Sequence, residues 1–461
     1  ALISTPSEED FKAYREQLDA LAQQIQETEQ LISERSQGFS IQAAPVTIEA
    51  IQSRIPKDAA VLQYAVYLPL NEASSVLGEA PHLAAYLLHA DGRISGVKLG
   101  PMSDFEQRLS TFRLDLARQT PDSTDAQSLY STLIAPILDD PGELTHLFIS
   151  PDGPLNLIPF EALQDAEGTP LIETVSLSYL STGRDLMRLS IDEEFELSPP
   201  LVIASPDYQT VIAAPDDQTE QVASSRGGRG FGAESASSAP AEASSEGTHT
   251  SAPKSYQPIG LASLSTDWAP LPGTAEEAQA ISKAIPEAII LTGPDATADA
   301  LRSVDSPRFL HVATHGFSVA DDPDDPRDDN PMVRSGLVFA GANQGNGADT
   351  LLLASEVASL DLDGTRLVVL SACESGLGDA RGGEGVYGLR RALQLAGSRS
   401  QVMSLWPVDD NATMEFMTGF YERLEDGQGM SEALRETKLE MMRSEKYGEP
   451  FYWAPFVLAG D

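Results

Sequence analysis

Two segments of the chain end in side chains whose types suit a shared chemistry. One runs Phe309-Leu310-His311-Val312-Ala313-Thr314-His315-Gly316. The other runs Leu367-Val368-Val369-Leu370-Ser371-Ala372-Cys373-Glu374-Ser375-Gly376. In each, an apolar run gives way to glycine just past a reactive residue. A thiolate is the nucleophile of cysteine chemistry, and an imidazole within reach generates it or protonates a leaving amine. Gly316, lacking Cβ, lets a backbone N–H approach a tetrahedral oxyanion, and the N–H of Cys373 is the natural second donor. From spacing alone, His315 and Cys373 remain a candidate pair. A lone Cys at a strand end is most often a small core residue, and a His there most often a surface group. His311, earlier on the same strand, reads as structural, because strand interiors seldom present catalytic groups.

The elements that must position these residues are legible around them. Residues 199–213 and 259–461 read as an α/β region with strands at Leu201–Ala204, Ala288–Leu291, Phe309–Thr314, Arg366–Ser371 and Gln401–Leu405. Helices are expected over Thr274–Ile285 and Val386–Leu395. The alternation argues a parallel sheet with helices on both faces, and continuous apolar runs suit strands buried on both sides. In such a sheet the strand C-termini share one edge, where ligands bind. If the two motif strands are neighbours, His315 and Cys373 share a cleft.

Residues 45–195 read as a first α/β region without cysteine. A strand is expected at Ala60–Leu68, and a hairpin of His82–Leu88 and Ile94–Leu99 turns at Asp91-Gly92. Helices at Phe105–Arg118 and Ala126–Leu138 and a strand at Leu144–Ser150 follow. Residues 1–44 form an N-terminal helical segment. Within it the spacing predicts a helix over 7–36, opened by Ser7 and Asp10 and striped by Phe11, Tyr14, Leu18, Leu21, Ile25 and Ile32. Its partner is either the rest of this chain or an upstream helical array, since the chain begins at Ala1 and reads as a piece of something longer. Residues 214–258, rich in Ser, Ala, Gly and Glu, have too few aliphatic side chains to offset the entropy of ordering, and read as a disordered insertion.

Composition narrows the function classes. The 461 residues carry 30 Lys+Arg against 70 Asp+Glu, a formal charge of -40. Such a surface repels phosphate backbones and anionic membranes, so nucleic acid and membrane are not expected partners. The single cysteine excludes an intrachain disulfide and fits a reducing, cytoplasmic compartment. No run of about 18 apolar residues suggests a membrane span. The acidic stretch 321–329 contains Pro323 and Pro326 and lacks the spacing of a calcium loop, so it reads as a solvated loop. No metal and no cofactor is expected.

His311–Gly316 and Leu370–Gly376 resemble the two catalytic motifs of the CHAT family, caspase-like peptidases related to separases and often fused to tetratricopeptide repeats. Gly383-Glu384-Gly385-Val386-Tyr387-Gly388-Leu389, Ser404-Leu405-Trp406-Pro407-Val408-Asp409-Asp410 and Tyr452-Trp453-Ala454-Pro455-Phe456-Val457-Leu458 resemble its downstream signatures. Ile149–Leu155 and Ile158-Pro159-Phe160 resemble its upstream half. The resemblance spans about residues 45–461, the insertion excepted. It implies a caspase-haemoglobinase fold, His315 as general acid/base and Cys373 as nucleophile. It also implies that 45–195 is a degenerate protease-like domain beside an active one at 196–461. The chain is then a cysteine endopeptidase switched on by an upstream sensor or partner. The competing readings are a catalytically silent scaffold that binds an extended peptide and a thiol hydrolase of small acyl substrates.

In caspase-like folds, substrate docks as an extended strand near the strand that follows the nucleophile's helix. Here that places it beside Gln401–Leu405, with Glu384, Asp409 and Asp410 as candidate pocket acids selecting a basic side chain before the scissile bond. The insertion carries Arg226 and Arg229 and is either a decoy or autoprocessing site for such a pocket or an inert tether.

Overall fold

The computed structural model describes residues 46–71, 76–77, 80–120, 123–138, 141–190, 195–211, 267–319, 331–344, 347–371 and 384–460. The predicted helix 7–36, the insertion 214–258, the acidic stretch 321–329 and Cys373 lie outside them.

Eleven strands build one sheet. In chain order they are β1 (Ala59–Tyr67), β2 (His82–His89), β3 (Ile94–Pro101), β4 (His146–Ser150), β5 (Ser176–Tyr179) and β6 (Leu201–Pro206). They continue as β7 (Ile289–Gly293), β8 (Phe309–Ala313), β9 (Leu367–Leu370), β10 (Ser400–Ser404) and β11 (Phe456–Ala459). The order across the sheet is β3-β2-β1-β4-β5-β11-β10-β9-β8-β6-β7. Pairings are parallel except at β3–β2, β2–β1 and β10–β11. The expected mixed α/β class is present, with a mostly parallel central sheet flanked by helices. The hairpin β2–β3 turns where Asp91-Gly92 stands, with Gly92 at a φ of 92°. The carboxylate of Asp91 accepts from the N–H of Arg93 at 3.0 Å and closes the turn.

Helices α1 (Ser103–Ala117), α2 (Ser123–Leu133), α3 (Pro272–Ala284), α4 (Glu384–Leu395), α5 (Asp410–Glu425) and α6 (Met430–Arg443) flank the sheet. Each of the five residues of β8 is buried, which is why its sequence is apolar on both faces apart from His311 and does not alternate. A small antiparallel sheet of Gly316–Ser318, Ser335–Val338 and Leu351–Leu353 leaves the main sheet directly after β8.

The two α/β regions share this one sheet and one hydrophobic core. They meet where β11 pairs with β10 on one side and with β5 on the other, through Ala459 and Tyr179. Beside that seam Lys438 of α6 and Glu161 form a fully buried ion pair at 2.9 Å. Tyr179 donates to the other oxygen of Glu161 at 2.6 Å and accepts from the N–H of Phe160 at 2.8 Å. Burial pulls the Lys438 ammonium below its usual range, and the Glu161 carboxylate beside it works against that fall.

A buried pair contributes little net stability, but removing one partner strands the other's charge. Lys438→Met is therefore expected to cost about 3–5 kcal/mol, measured by urea unfolding. The double variant Lys438→Met/Glu161→Gln is expected to recover most of the loss. A single variant as stable as the parent would mean that the pair carries no such role.

Candidate active site

The site lies at the C-terminal edge of β6, β8, β9 and β10, all mutually parallel. Every paired residue of β8 stands beside the residue 58 positions further along the chain, Phe309 beside Leu367 and Val312 beside Leu370. The N–H of Ser371 continues the ladder to the carbonyl of Val312 at 2.9 Å. His315 follows β8 by two residues. Cys373 follows Ser371, the last described residue of its segment, by two.

His315 is 9% exposed and held on three sides. Its ring sits between Tyr208 and Trp268, with centroids 5.3 Å from each. Its Nε2 lies 2.8 Å from the carbonyl oxygen of Ala269. A carbonyl only accepts, so Nε2 carries the proton and, in the neutral ring, Nδ1 keeps its lone pair. The hydroxyl of Tyr208 accepts from the His315 N–H at 3.4 Å and lies 3.0 Å from the hydroxyl of Thr314. Thr314 spends its own proton on the carbonyl of Val338, so Tyr208 is the donor between the two hydroxyls.

Beside the ring is a cavity of about 140 Å³. Its wall includes His315 and Thr314 after β8, Ser371 after β9, Pro407 and Val408 after β10, and the first turns of α3 and α5. Two carboxylates reach it, Glu277 and Asp410, and among the described lining residues there is no Lys or Arg. Asp410 accepts from the N–H of Gly273 at 3.1 Å, at the first turn of α3. That approach requires glycine, because a Cβ at position 273 would overlap the Asp410 side chain. Glu277 is 1% exposed. One of its oxygens stands 3.1 Å from His311 Nε2, and the other accepts from the Ser371 hydroxyl at 3.2 Å. His311 Nδ1 lies 3.0 Å from the Tyr421 hydroxyl. Burial, and then the Glu277 charge, hold that phenol well above its ordinary range.

The predicted site residues are thus distributed as follows. His315 and Asp410 line one cavity, and Gly316 is a buried residue of the strand that starts beside it. Asp409 is exposed and caps α5, accepting from the N–H groups of Asn411 and Ala412 at 3.1 Å. Glu384 is the first residue of α4, and Cys373 is outside the described residues. The expected docking of a substrate strand beside Gln401–Leu405 is overturned. β10 is already paired on both edges, with β9 and with β11, and the N–H of Leu405 is taken by the carbonyl of Pro455. Sequence reasoning passed over Glu277, Tyr208, Trp268 and Ala269. Only Glu277 left a signal, as a charged residue on the buried stripe Thr274, Ala278 and Ile281 of α3.

A model of the CHAT domain matches residues 123–461. The chain belongs to the CHAT domain family. The match begins at α2, so α1 and β1–β3 precede it, although those three strands share its sheet. Among curated proteins, tetratricopeptide repeat protein 28 of Homo sapiens is 34% identical over 113 residues, which are 24% of this chain and 4% of that protein. The Mus musculus protein of that name is 33% identical over 113 residues, with the same shares. This chain therefore matches only a small part of those relatives. Among solved structures, the Arg specific cysteine proteinase gingipain R aligns at 10% identity and a TM-score of 0.37, covering 78% of this chain and 74% of that one. Saccharomyces cerevisiae separase, from the separase-securin complex, aligns at 9% identity and a TM-score of 0.48, covering 89% of this chain and 30% of that one. Family membership rests on the domain match.

Burial pushes the Tyr208 phenol up to about 12, while the bond it accepts from the His315 N–H acts in the opposite direction. A raised folded-state value means that the stabilisation is fully present below pH 10 and is lost as pH rises through 12. Relative to the parent, Tyr208→Phe is expected to lose less stability between pH 9 and pH 12, by up to about 3 kcal/mol at 1.36 kcal/mol per unit. Urea unfolding at the two pH values reads the difference, and parallel losses in both proteins would contradict it. The buried phenols of Tyr64, Tyr179 and Tyr421 are present in both proteins and cancel in the comparison.

Proposed function

We propose that this CHAT domain is a cysteine endopeptidase that cleaves after a basic residue, with His315 as general acid/base and Cys373 as nucleophile. The observation that carries the reading is the placement of His315 Nε2 on the Ala269 carbonyl, beside a cavity lined by acids. The free lone pair on Nδ1 is then the base for the Cys373 thiol. Cys373 is the chain's only cysteine, and it stands 58 positions after His315, the offset of the β8–β9 ladder.

In this mechanism Nδ1 takes the thiol proton and the sulfur attacks the peptide carbonyl carbon. The carbonyl π electrons move to oxygen, where the N–H groups of Gly316 and Cys373 are the donors. The oxyanion collapses, the C–N bond breaks, and the imidazolium gives its proton to the leaving amine. Water, deprotonated by the same imidazole, then cleaves the thioester and returns the thiol.

Glu277 at the cavity floor and Asp410 at its lip favour a guanidinium or ammonium group and repel Asp or Glu. Since β10 has no free edge, the substrate backbone is assigned to Pro407 and Val408, past the end of that strand. Residues 45–195 act as a degenerate partner domain that braces the active one. A cytoplasmic setting fits the single thiol, and no described helix is long and apolar enough to cross a membrane. An upstream repeat array or partner is the proposed switch, in keeping with the repeat named in the curated relatives.

Cys373→Ala and His315→Gln are each expected to abolish hydrolysis of a proteome-derived peptide library while leaving circular dichroism unchanged. The wild-type profile is expected to show Lys or Arg before the cut, and Asp410→Asn to weaken that preference about tenfold, the cost of roughly one charged hydrogen bond. Near-normal turnover by folded Cys373→Ala would overturn the mechanism. Efficient cleavage after Asp would overturn the pocket. Peptide binding without cleavage by the wild type would favour the silent scaffold.

A further inference from the structure

The three groups that hold the His315 ring come from two chain segments, and a single residue ties both of them. Tyr208 follows β6. Trp268 and Ala269 belong to the stretch that leads into α3. Asn343, on the turn Ala342–Gln344, donates its backbone N–H to the carbonyl of Tyr208 at 2.9 Å. Its side-chain oxygen accepts from the N–H of Trp268 at 2.7 Å, and its side-chain nitrogen donates to the carbonyl of Trp268 at 2.9 Å. One amide thus satisfies both backbone groups of one residue, as a neighbouring strand would. Residues 267–271 belong to no strand, so this two-point clip replaces a ladder.

Chemistry restricts what can stand at position 343. The clip needs an acceptor and a donor on the two atoms of one carboxamide, which only Asn and Gln carry. Asp keeps the acceptor and loses the donor, and Ala loses both. The next peptide after the clipped residue carries the carbonyl of Ala269, whose direction decides which imidazole nitrogen holds the proton.

We propose that Asn343 is a positioning residue for His315, acting through Trp268 and Tyr208 to fix the plane of the ring and through Ala269 to fix its tautomer. The inference deepens the endopeptidase reading and rests on it for its catalytic consequence, but its structural core can be read without any hydrolysis. Asn343 stands outside the proposed substrate cavity. Its side chain is not among those that line that cavity.

The test uses the full chain with ring-¹⁵N-labelled histidine. The signal of His315 is assigned among the six histidines by its loss in His315→Gln. The parent is expected to show Nε2 protonated and Nδ1 bare. In Asn343→Ala a population with Nδ1 protonated is expected to appear, and Asn343→Asp should fall between the two. Gln344→Ala is the control. It removes a contact to Gln209 at 3.3 Å from the same turn without touching Trp268, and should leave the tautomer as in the parent. With peptide substrate, Asn343→Ala is expected to lower kcat about tenfold, the equivalent of one or two net hydrogen bonds, with KM nearly unchanged. A loop that is merely structural would lower Tm and leave both the tautomer and the kcat-against-KM split alone.

A folded Asn343→Ala protein with the parent's tautomer overturns the proposal, as does an equal change in Gln344→Ala. If Asn343→Ala does not fold, Asn343→Asp against Gln344→Ala makes the same decision. A tautomer shift in a protein that hydrolyses no peptide would remove the endopeptidase reading and keep the clip. Intact hydrolysis with an unmoved tautomer would do the reverse.

Discussion

The parallel ladder between β8 and β9 is short, four paired residues, yet it cannot slip. Both strands are buried on both faces, and alternate residues of β8 meet different surroundings. His311 points toward Glu277 and Tyr421, while Leu310 and Val312 point the other way into hydrocarbon. A shift of one residue would exchange the faces, setting the imidazole in the apolar layer and a leucine against the Glu277 carboxylate. The polar contacts of His311 therefore lock the register that also decides which residues emerge together at the strand ends. This is a structural task performed by a histidine four residues before the candidate acid/base. It explains why two histidines four residues apart can have unlike environments.

What holds that ladder in place reaches well beyond the C-terminal region. β10, the other neighbour of β9, is flanked by β11, and β11 lies against β5 of the first region. Arg188 donates to the carbonyls of Ser398 and Arg399 just before β10, and Arg399 donates in return to the carbonyl of Leu189. Gln394, near the end of α4, is bonded to Asp185 and Ser181 of the first region. The helix that returns from the Cys373 segment is thus fastened at its far end to residues some 210 positions earlier in the chain. A first region without its own cysteine still has mechanical work to do, as the wall against which β10 and α4 are braced.

Much of this could be read in the sequence because burial on both faces writes itself as an unbroken apolar run. β6 and β9 were legible for that reason, β8 nearly so with His311 as its one break, and the hairpin β2–β3 from its Asp91-Gly92 turn. The seam strands β5 and β11 were not. Each has only four residues, and their pairing joins positions 179 and 459, a contact that no local pattern encodes. Asp409 and Asp410 show the ambiguity of a residue type. Two acids before an amphipathic stretch are as much a helix-cap signal as a pocket, and Asp409 is spent on the cap. Glu277 reversed the case, since an acid on the buried stripe of a helix marks an unusual environment without naming the cavity that it faces. The aromatic walls around His315 left no trace at all, because they are assembled from segments about 60 and 50 residues apart along the chain.

The choice of a backbone carbonyl to orient His315 has a consequence for the charge balance of the cleft. A carboxylate in that place would fix the tautomer too, but it would add a full negative charge against the ring, and a second buried acid beside Glu277 would have to be desolvated. The Ala269 carbonyl fixes the proton on Nε2 with a dipole alone. The nearby full negative charges then belong to Glu277 and Asp410, on the cavity side, where a cationic side chain can meet them. On the proposed reading, orientation of the base and selection of the substrate then fall to different groups. The cost is that a carbonyl aims only as well as its backbone is held, and here the holding falls to an aromatic sandwich and the side-chain amide of Asn343.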